Sequence, residues 1–128
     1  MHTALLCVLI AGLLPYLFTG IAKAAGPRYD NRDVRAWQGR LQGLAYRANA
    51  AHLNGFEAFP LFAAAVLSAI VAGADMARVS QLAVAFVVLR VLYGVVYLVN
   101  LAALRSLVWF GALACAVAIF ISALSAAG

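Results

Sequence analysis

Read for polarity alone, the chain alternates long apolar runs with short polar breaks. Residues 1–22 carry no charge, and residues 106–128 carry none. Residues 44–73 are apolar once past a polar mouth, and residues 79–99 are apolar except for Arg90. A hydrocarbon core of about 30 Å takes roughly 20 apolar residues of helix, so each run is long enough to cross a bilayer. The pattern predicts an all-α fold: an integral membrane four-helix bundle, one domain over residues 1–128, with short connections. The 79–99 run, interrupted by Arg90, is expected to be the weakest span by hydropathy. Gly26-Pro27 is a stop signal after the first span, because proline cannot continue the hydrogen-bond ladder and glycine suits a cap. The first connection, to about residue 43, is the longest and most polar part of the chain. Pro15 and Pro60 fall inside predicted helices, and each frees the carbonyl four residues earlier. A functional bend above the polar mouth and an ordinary proline kink both fit Pro60.

Composition supports this reading. Of 128 residues, 67% are hydrophobic and 10% are charged, against roughly half and a quarter in soluble domains. The net charge of +5 could suggest nucleic acid, but its placement points to topology. Lys23, Arg28, Arg32, Arg35, Arg40, Arg47 and Arg105 lie in or beside the first and third connections, whereas Arg78 is alone in the second. The positive-inside rule then puts the first and third connections in the cytoplasm and both termini outside, which suits a bacterial inner membrane. Ala22-Lys23-Ala24 resembles a signal cleavage site, but no basic residue precedes the apolar run, so a retained span is expected. Cys7 and Cys115 sit in apolar segments without metal or redox spacing and read as small buried hydrophobes. No metal set, phosphate loop or nucleophile triad is visible.

The chemistry gathers in "YRANAAHLNGFEAFPLF", residues 46–62, where Arg47, Asn49, His52, Asn54 and Glu57 precede seventeen uncharged residues. Arg47, Ala51 and Asn54 share one helix face, while Glu57 and His52 lie to either side of it. More than one neighbouring helix, or a subunit boundary, can therefore be served. On the third span Arg90, Tyr93 and Tyr97 stand at i, i+3 and i+7, again on one face. Arg105 and Ser106 open the fourth span, level with Arg47 and Asn54. An arginine at mid-membrane costs roughly 2.5–3.5 kcal/mol on insertion scales, so Arg90 needs a partner: Glu57, or a polar ligand. Taken singly, Arg47 and Arg105 read as snorkelling topology markers, His52 as a packing residue, and the tyrosines as helix-packing aromatics. Taken together, the set suits a small zwitterion, with carboxylates on arginine, an ammonium on Glu57 and amides on Asn54 and tyrosine. An arginine beside a thiol favours the thiolate.

The Arg47, Asn54, Glu57, Pro60 series resembles the second-helix signature of the MAPEG family, the membrane-associated proteins of eicosanoid and glutathione metabolism. The stretch from Arg90 to Trp109, with Tyr93, Tyr97 and "LRSLVW", is similar to the family's third and fourth helices. The resemblance implies a homotrimer binding glutathione as co-substrate between protomers, and a transferase or peroxidase acting on a lipophilic electrophile. It assigns Asn54 and Glu57 to the glutathione backbone, Tyr93 and Tyr97 to further hydrogen bonds, and Arg90 to support. Arg105, with Ser106, falls beside the sulfur, and Lys23 falls where a carboxylate would be met. Arg47 and His52 complete the candidate binding set. Better-known eicosanoid enzymes carry a second arginine where this chain has Ala50, which removes one charge-assisted contact of about 1.5–3 kcal/mol unless Lys23 or Arg47 compensates. A non-enzymatic lipid-binding scaffold of the same family is the alternative. A small multidrug transporter fits less well, since such proteins work through a first-helix glutamate absent here. The bilayer and a lipophilic small molecule are the expected partners, and nucleic acid is not.

Overall fold

The computed structural model describes all 128 residues. It contains five helices: α1 (His2–Ala25), α2 (Val34–Gly39), α3 (Gly43–Val71), α4 (Met76–Leu98) and α5 (Ala102–Ala127). α1, α3, α4 and α5 are long and apolar enough to cross a membrane. The protein is an integral membrane four-helix bundle.

The starts of α4 and α5 move outward from the hydropathy estimate for local reasons. α4 starts early because the Asp75 carboxylate accepts from the Ala77 amide at 2.9 Å. α5 starts at Ala102, where Leu101 O already accepts from the Arg105 amide at 2.9 Å. α3 and not α4 has the lowest mean hydropathy, a correction to the expectation from Arg90. Valine and leucine runs around Arg90 offset its charge, whereas α3 carries Asn54, Glu57 and Pro60 ahead of its apolar run. Both prolines are accommodated within continuous helices. Gly26 does end α1, but in extended conformation with φ of −93°. Space is what demands glycine there: a Cβ would lie 2.8 Å from Ala22 O and 2.9 Å from Leu41 Cδ2.

The short helix α2 was not legible in the polar first connection. Asp33 caps it by accepting from the Ala36 amide at 3.0 Å. Its one apolar anchor, Trp37, is 1% exposed and packs on Ala22, Leu41, Ala45 and Ala48. Trp37 Nε1 donates to Pro27 O at 2.9 Å, so burial leaves no indole donor unpaired. The connection is thereby strapped across the end of α1 and α3.

α1 packs on α3 and α4, α5 packs on α3 and α4, and α3 meets α4 across the middle. Short connections make successive spans antiparallel, so the C-terminal ends of α1 and α4 meet the N-terminal ends of α3 and α5. That end carries the basic connections. The seams are lined by small residues, Ala4, Ala11, Ala65, Ala69, Ala83, Ala112 and Ala116 among them. In lipid, tight van der Waals packing between such surfaces replaces the hydrophobic drive available in water. Phe62 and Phe86 stack face to face at 3.9 Å between α3 and α4. Large apolar side chains such as Leu9, Leu13, Val88, Leu107 and Leu124 point outward, as a lipid solvent requires.

Two glycines permit the closest approaches. Pro15 of α1 seats against Gly55 of α3, where a Cβ would lie 2.7 Å from the ring. The Phe18 ring covers Gly94 of α4, where a Cβ would fall 1.8 Å from Phe18 Cζ. Gly94→Ala is expected to destabilise the bundle by about 1–3 kcal/mol through overpacking. Gly20→Ala, which meets nothing within 4 Å, should leave stability unchanged or raise it. Thermal unfolding in detergent by circular dichroism distinguishes them, and equal melting temperatures would remove the role given to the Phe18–Gly94 contact.

Candidate functional site

The polar mouth of α3 opens at the basic end of the bundle. Asn54 Nδ2 donates to Glu57 Oε2 at 3.1 Å, one turn along the same helix. That bond aims the amide and leaves Asn54 Oδ1 buried without a partner. Arg90 enters from α4 and is 5% exposed. Its guanidinium carbon stands 4.3 Å from the Tyr93 ring centroid, and its Nη1 is buried with no hydrogen-bond partner. Glu57 and Arg90 do not form an ion pair; the one ion pair in the chain is Arg32–Asp30. Instead both line a cavity of about 130 Å³ between α3, α4 and α5. Asn54, Glu57, Arg90 and Trp109 form its polar part, and Leu61, Phe86, Ala112 and Ala116 continue it into the apolar core.

An adjoining hollow is lined by Asn54, Tyr93, Arg105, Ser106 and Trp109. Asn54 and Trp109 belong to both spaces and separate them. Arg105 is half-buried in the first turn of α5, its guanidinium carbon 4.1 Å over the Tyr97 ring. Ser106 Oγ donates back to Ala102 O at 3.3 Å, so its hydroxyl is turned along its own helix. The helix N-terminus and the arginine act in the same sense, both favouring a negative group at this spot. Trp109 was not singled out as a site residue from sequence. Its position four after Arg105, on the same helical face, was the signal available.

Three candidate residues stand elsewhere. Arg47 Nε donates to Leu98 O at 2.9 Å and so closes the C-terminal end of α4. His52 faces α1: its Nδ1 is 2.6 Å from Thr19 Oγ1 and 3.2 Å from Pro15 O, and its ring meets Phe56 edge-on. Lys23 lies 3.9 Å from the Tyr29 ring centroid in the first connection. For His52 the helical phase explains this, since it sits off the face that carries Asn54. The structure thus brings Asn54, Glu57, Arg90, Tyr93, Tyr97, Arg105 and Ser106 together and leaves Lys23, Arg47 and His52 outside.

The energetics of the site are unbalanced. A buried guanidinium without an anion is costly, and a cation–π contact returns only about 0.5–2 kcal/mol. No carboxylate of the chain pairs with Arg90, although Glu57 lines the same cavity. The profile of the MAPEG family matches residues 3–125, nearly the whole chain. The chain belongs to the MAPEG family. Comparison with curated proteins and with solved structures gave no match. The four-span membrane bundle is the architecture of the MAPEG family, and the polar mouth of α3 lies at the centre of its matched region.

Arg90 and Arg47 should respond oppositely to methionine. Arg90→Met removes an unpaired buried charge, so thermal stability in detergent is expected to hold or rise. Arg47→Met removes a charge-assisted bond to a helix-end carbonyl and should cost about 1.5–3 kcal/mol. A large loss in Arg90→Met would mean that the guanidinium is already satisfied within the protomer.

Proposed function

We propose that this MAPEG protein is a membrane-bound glutathione-dependent transferase or peroxidase acting on a lipophilic electrophile. The observation that carries the reading is the pair of buried, unpartnered polar atoms, Arg90 Nη1 and Asn54 Oδ1, at one cavity. They ask for an anion and for a hydrogen-bond donor, which a peptide-like zwitterion supplies together. Glu57, exposed beside them, suits its ammonium. The donor set therefore fits glutathione. The cavity of about 130 Å³ is smaller than the roughly 300–1,000 Å³ typical of ligand pockets. A tripeptide would overfill it, and the open Glu57 side then needs a second wall. In the proposed homotrimer a neighbouring protomer would provide one.

Glutathione, when bound, supplies the thiol nucleophile. Arg105 and the α5 N-terminus hold the thiolate form against protonation. Tyr97, whose ring lies under the Arg105 guanidinium, keeps that charge at the mouth. Tyr93 lines the same hollow. The apolar continuation past Leu61 and Phe86 excludes water and admits a lipophilic group from the bilayer. Seven of the nine basic residues lie at this end, which supports a cytoplasmic site with both termini periplasmic in an inner membrane.

A lipid-binding scaffold of the same family is the second reading. It is favoured by Ala50, which supplies no cation to the mouth, and by the Ser106 hydroxyl turned away from it.

Calorimetry with glutathione on the detergent-purified protein tests the reading, with Glu57→Gln and Arg105→Ala beside the wild type. Saturable binding is expected, weakened about tenfold or more in Glu57→Gln by the loss of one charge-assisted contact. Arg105→Ala should bind nearly as well yet turn over about a hundredfold more slowly, the scale for losing one electrostatic stabiliser. Equal loss of binding and turnover in Arg105→Ala would end its assignment to the sulfur. Binding without a glutathione-dependent thiolate absorbance in the ultraviolet would select the scaffold.

A further inference from the structure

The first connection holds a second, separate hollow. It measures about 480 Å³ and is lined by Arg28, Tyr29, Asp30, Arg32 and Arg40. It shares no residue with the cavity at Asn54 and Glu57. We infer that this hollow is a binding cup for the phosphate of an anionic phospholipid whose headgroup carries hydroxyls.

Its charges are uncommitted. The Arg28 and Arg40 side chains make neither a hydrogen bond nor an ion pair within the chain. Arg32 uses its Nε on Asp30 Oδ1 at 3.3 Å, and its side chain is 92% exposed. Three arginines thus line one space against a single carboxylate, and arginine's planar fork matches phosphate oxygens in two-point contacts. Asp30 is itself engaged: its Oδ1 accepts from the Arg32 amide at 2.9 Å as well. The Arg32 backbone and side chain, with the nearby Arg40 charge, hold the Asp30 carboxyl below its ordinary range. It therefore stays ionised at neutral pH, and its second oxygen can accept from a headgroup hydroxyl. Three guanidiniums against one carboxylate favour a headgroup of net negative charge over the net-neutral choline headgroup, and a polyol hydroxyl can donate to Asp30 where a trimethylammonium has no hydrogen to give.

The cup is also built, and it is built at the right depth. Tyr29 packs edge-on against the buried Trp37 at 5.1 Å and lies under the Lys23 ammonium. Trp37 is tied to Pro27 O, so the segment bearing Arg28 and Tyr29 is pinned to α2, which ends next to Arg40. Arg28 follows the last residue of a membrane span, Ala25, by three positions. A lipid phosphate is delivered at that level by the bilayer itself, whereas a soluble phosphate is not. Basic residues at such a surface each strengthen anionic-lipid binding several-fold.

The test is native mass spectrometry of the full-length protein in detergent, titrated with phosphatidylglycerol, with phosphatidylcholine, and with phosphatidylglycerol in millimolar inorganic phosphate. Saturable phosphatidylglycerol binding is expected, with no comparable site for phosphatidylcholine and no displacement by inorganic phosphate. The double variant Arg28→Gln/Arg40→Gln should bind phosphatidylglycerol about thirtyfold more weakly. Arg78→Gln, in the second connection, should bind as wild type. Circular dichroism checks that both variants keep wild-type helix, and Arg32→Gln gives an independent reading of the same cup. Equal affinity for the two lipids, or undiminished binding in both cup variants, would overturn the proposal. Displacement by inorganic phosphate would overturn the lipid as the source.

Discussion

Arg90 puts a guanidinium inside a core that is otherwise alanine, valine and phenylalanine. Ionisable groups at such depth are expensive in a membrane protein unless they are paired. The fold gives Arg90 only the face of Tyr93, and the nearest carboxylate, Glu57, is spent on Asn54 and turned to the outside. The rest of the site can be understood as what this one charge requires. It opens on a small cavity, where Asn54 and Trp109 stand beside it. The stability such an arrangement forgoes is what underlies the proposal of an anionic ligand there.

The unbalanced centre is held by a well-satisfied surround. Arg47 closes the end of α4 on Leu98 O, and Gln38 of α2 reaches the buried Asn49 of α3 at 3.2 Å. Trp37 and its bond to Pro27 O clamp the first connection over α1 and α3. On the other side of α3, His52 binds α1 at Thr19 and Pro15, next to the Pro15–Gly55 contact. α3 is therefore fixed on two faces by polar residues that look, in sequence, like members of the site. Their work is to fix the rotation and depth of α3, and with them the direction in which Asn54 and Glu57 point.

Much of this was legible in advance. Four spans, their antiparallel order, the polar mouth and the shared face of Arg90, Tyr93 and Tyr97 all follow from hydropathy and helical period. Those properties depend on residues close in sequence, and lipid permits few other solutions for the backbone. The resemblance carried by Arg47, Asn54, Glu57 and Pro60 agrees with the family match over residues 3–125. The amphipathic signal of α2 was too short to stand out, because one buried tryptophan in six residues has no period.

The amino-acid sequence by itself determined that this protein is a four-span membrane bundle with a charged, hydrogen-bonding mouth at its basic end. Only the tertiary structure decided how that mouth is shared out. It separated Glu57 from Arg90, sent Arg47 to a carbonyl at the C-terminal end of α4, turned His52 to α1, and gathered Arg28, Arg32 and Arg40 around one hollow. The physical reason is that a partner across a helix seam depends on the relative rotation and depth of two helices. Those are set by close contacts such as Phe18 on Gly94 and Pro15 on Gly55, between residues far apart in the chain.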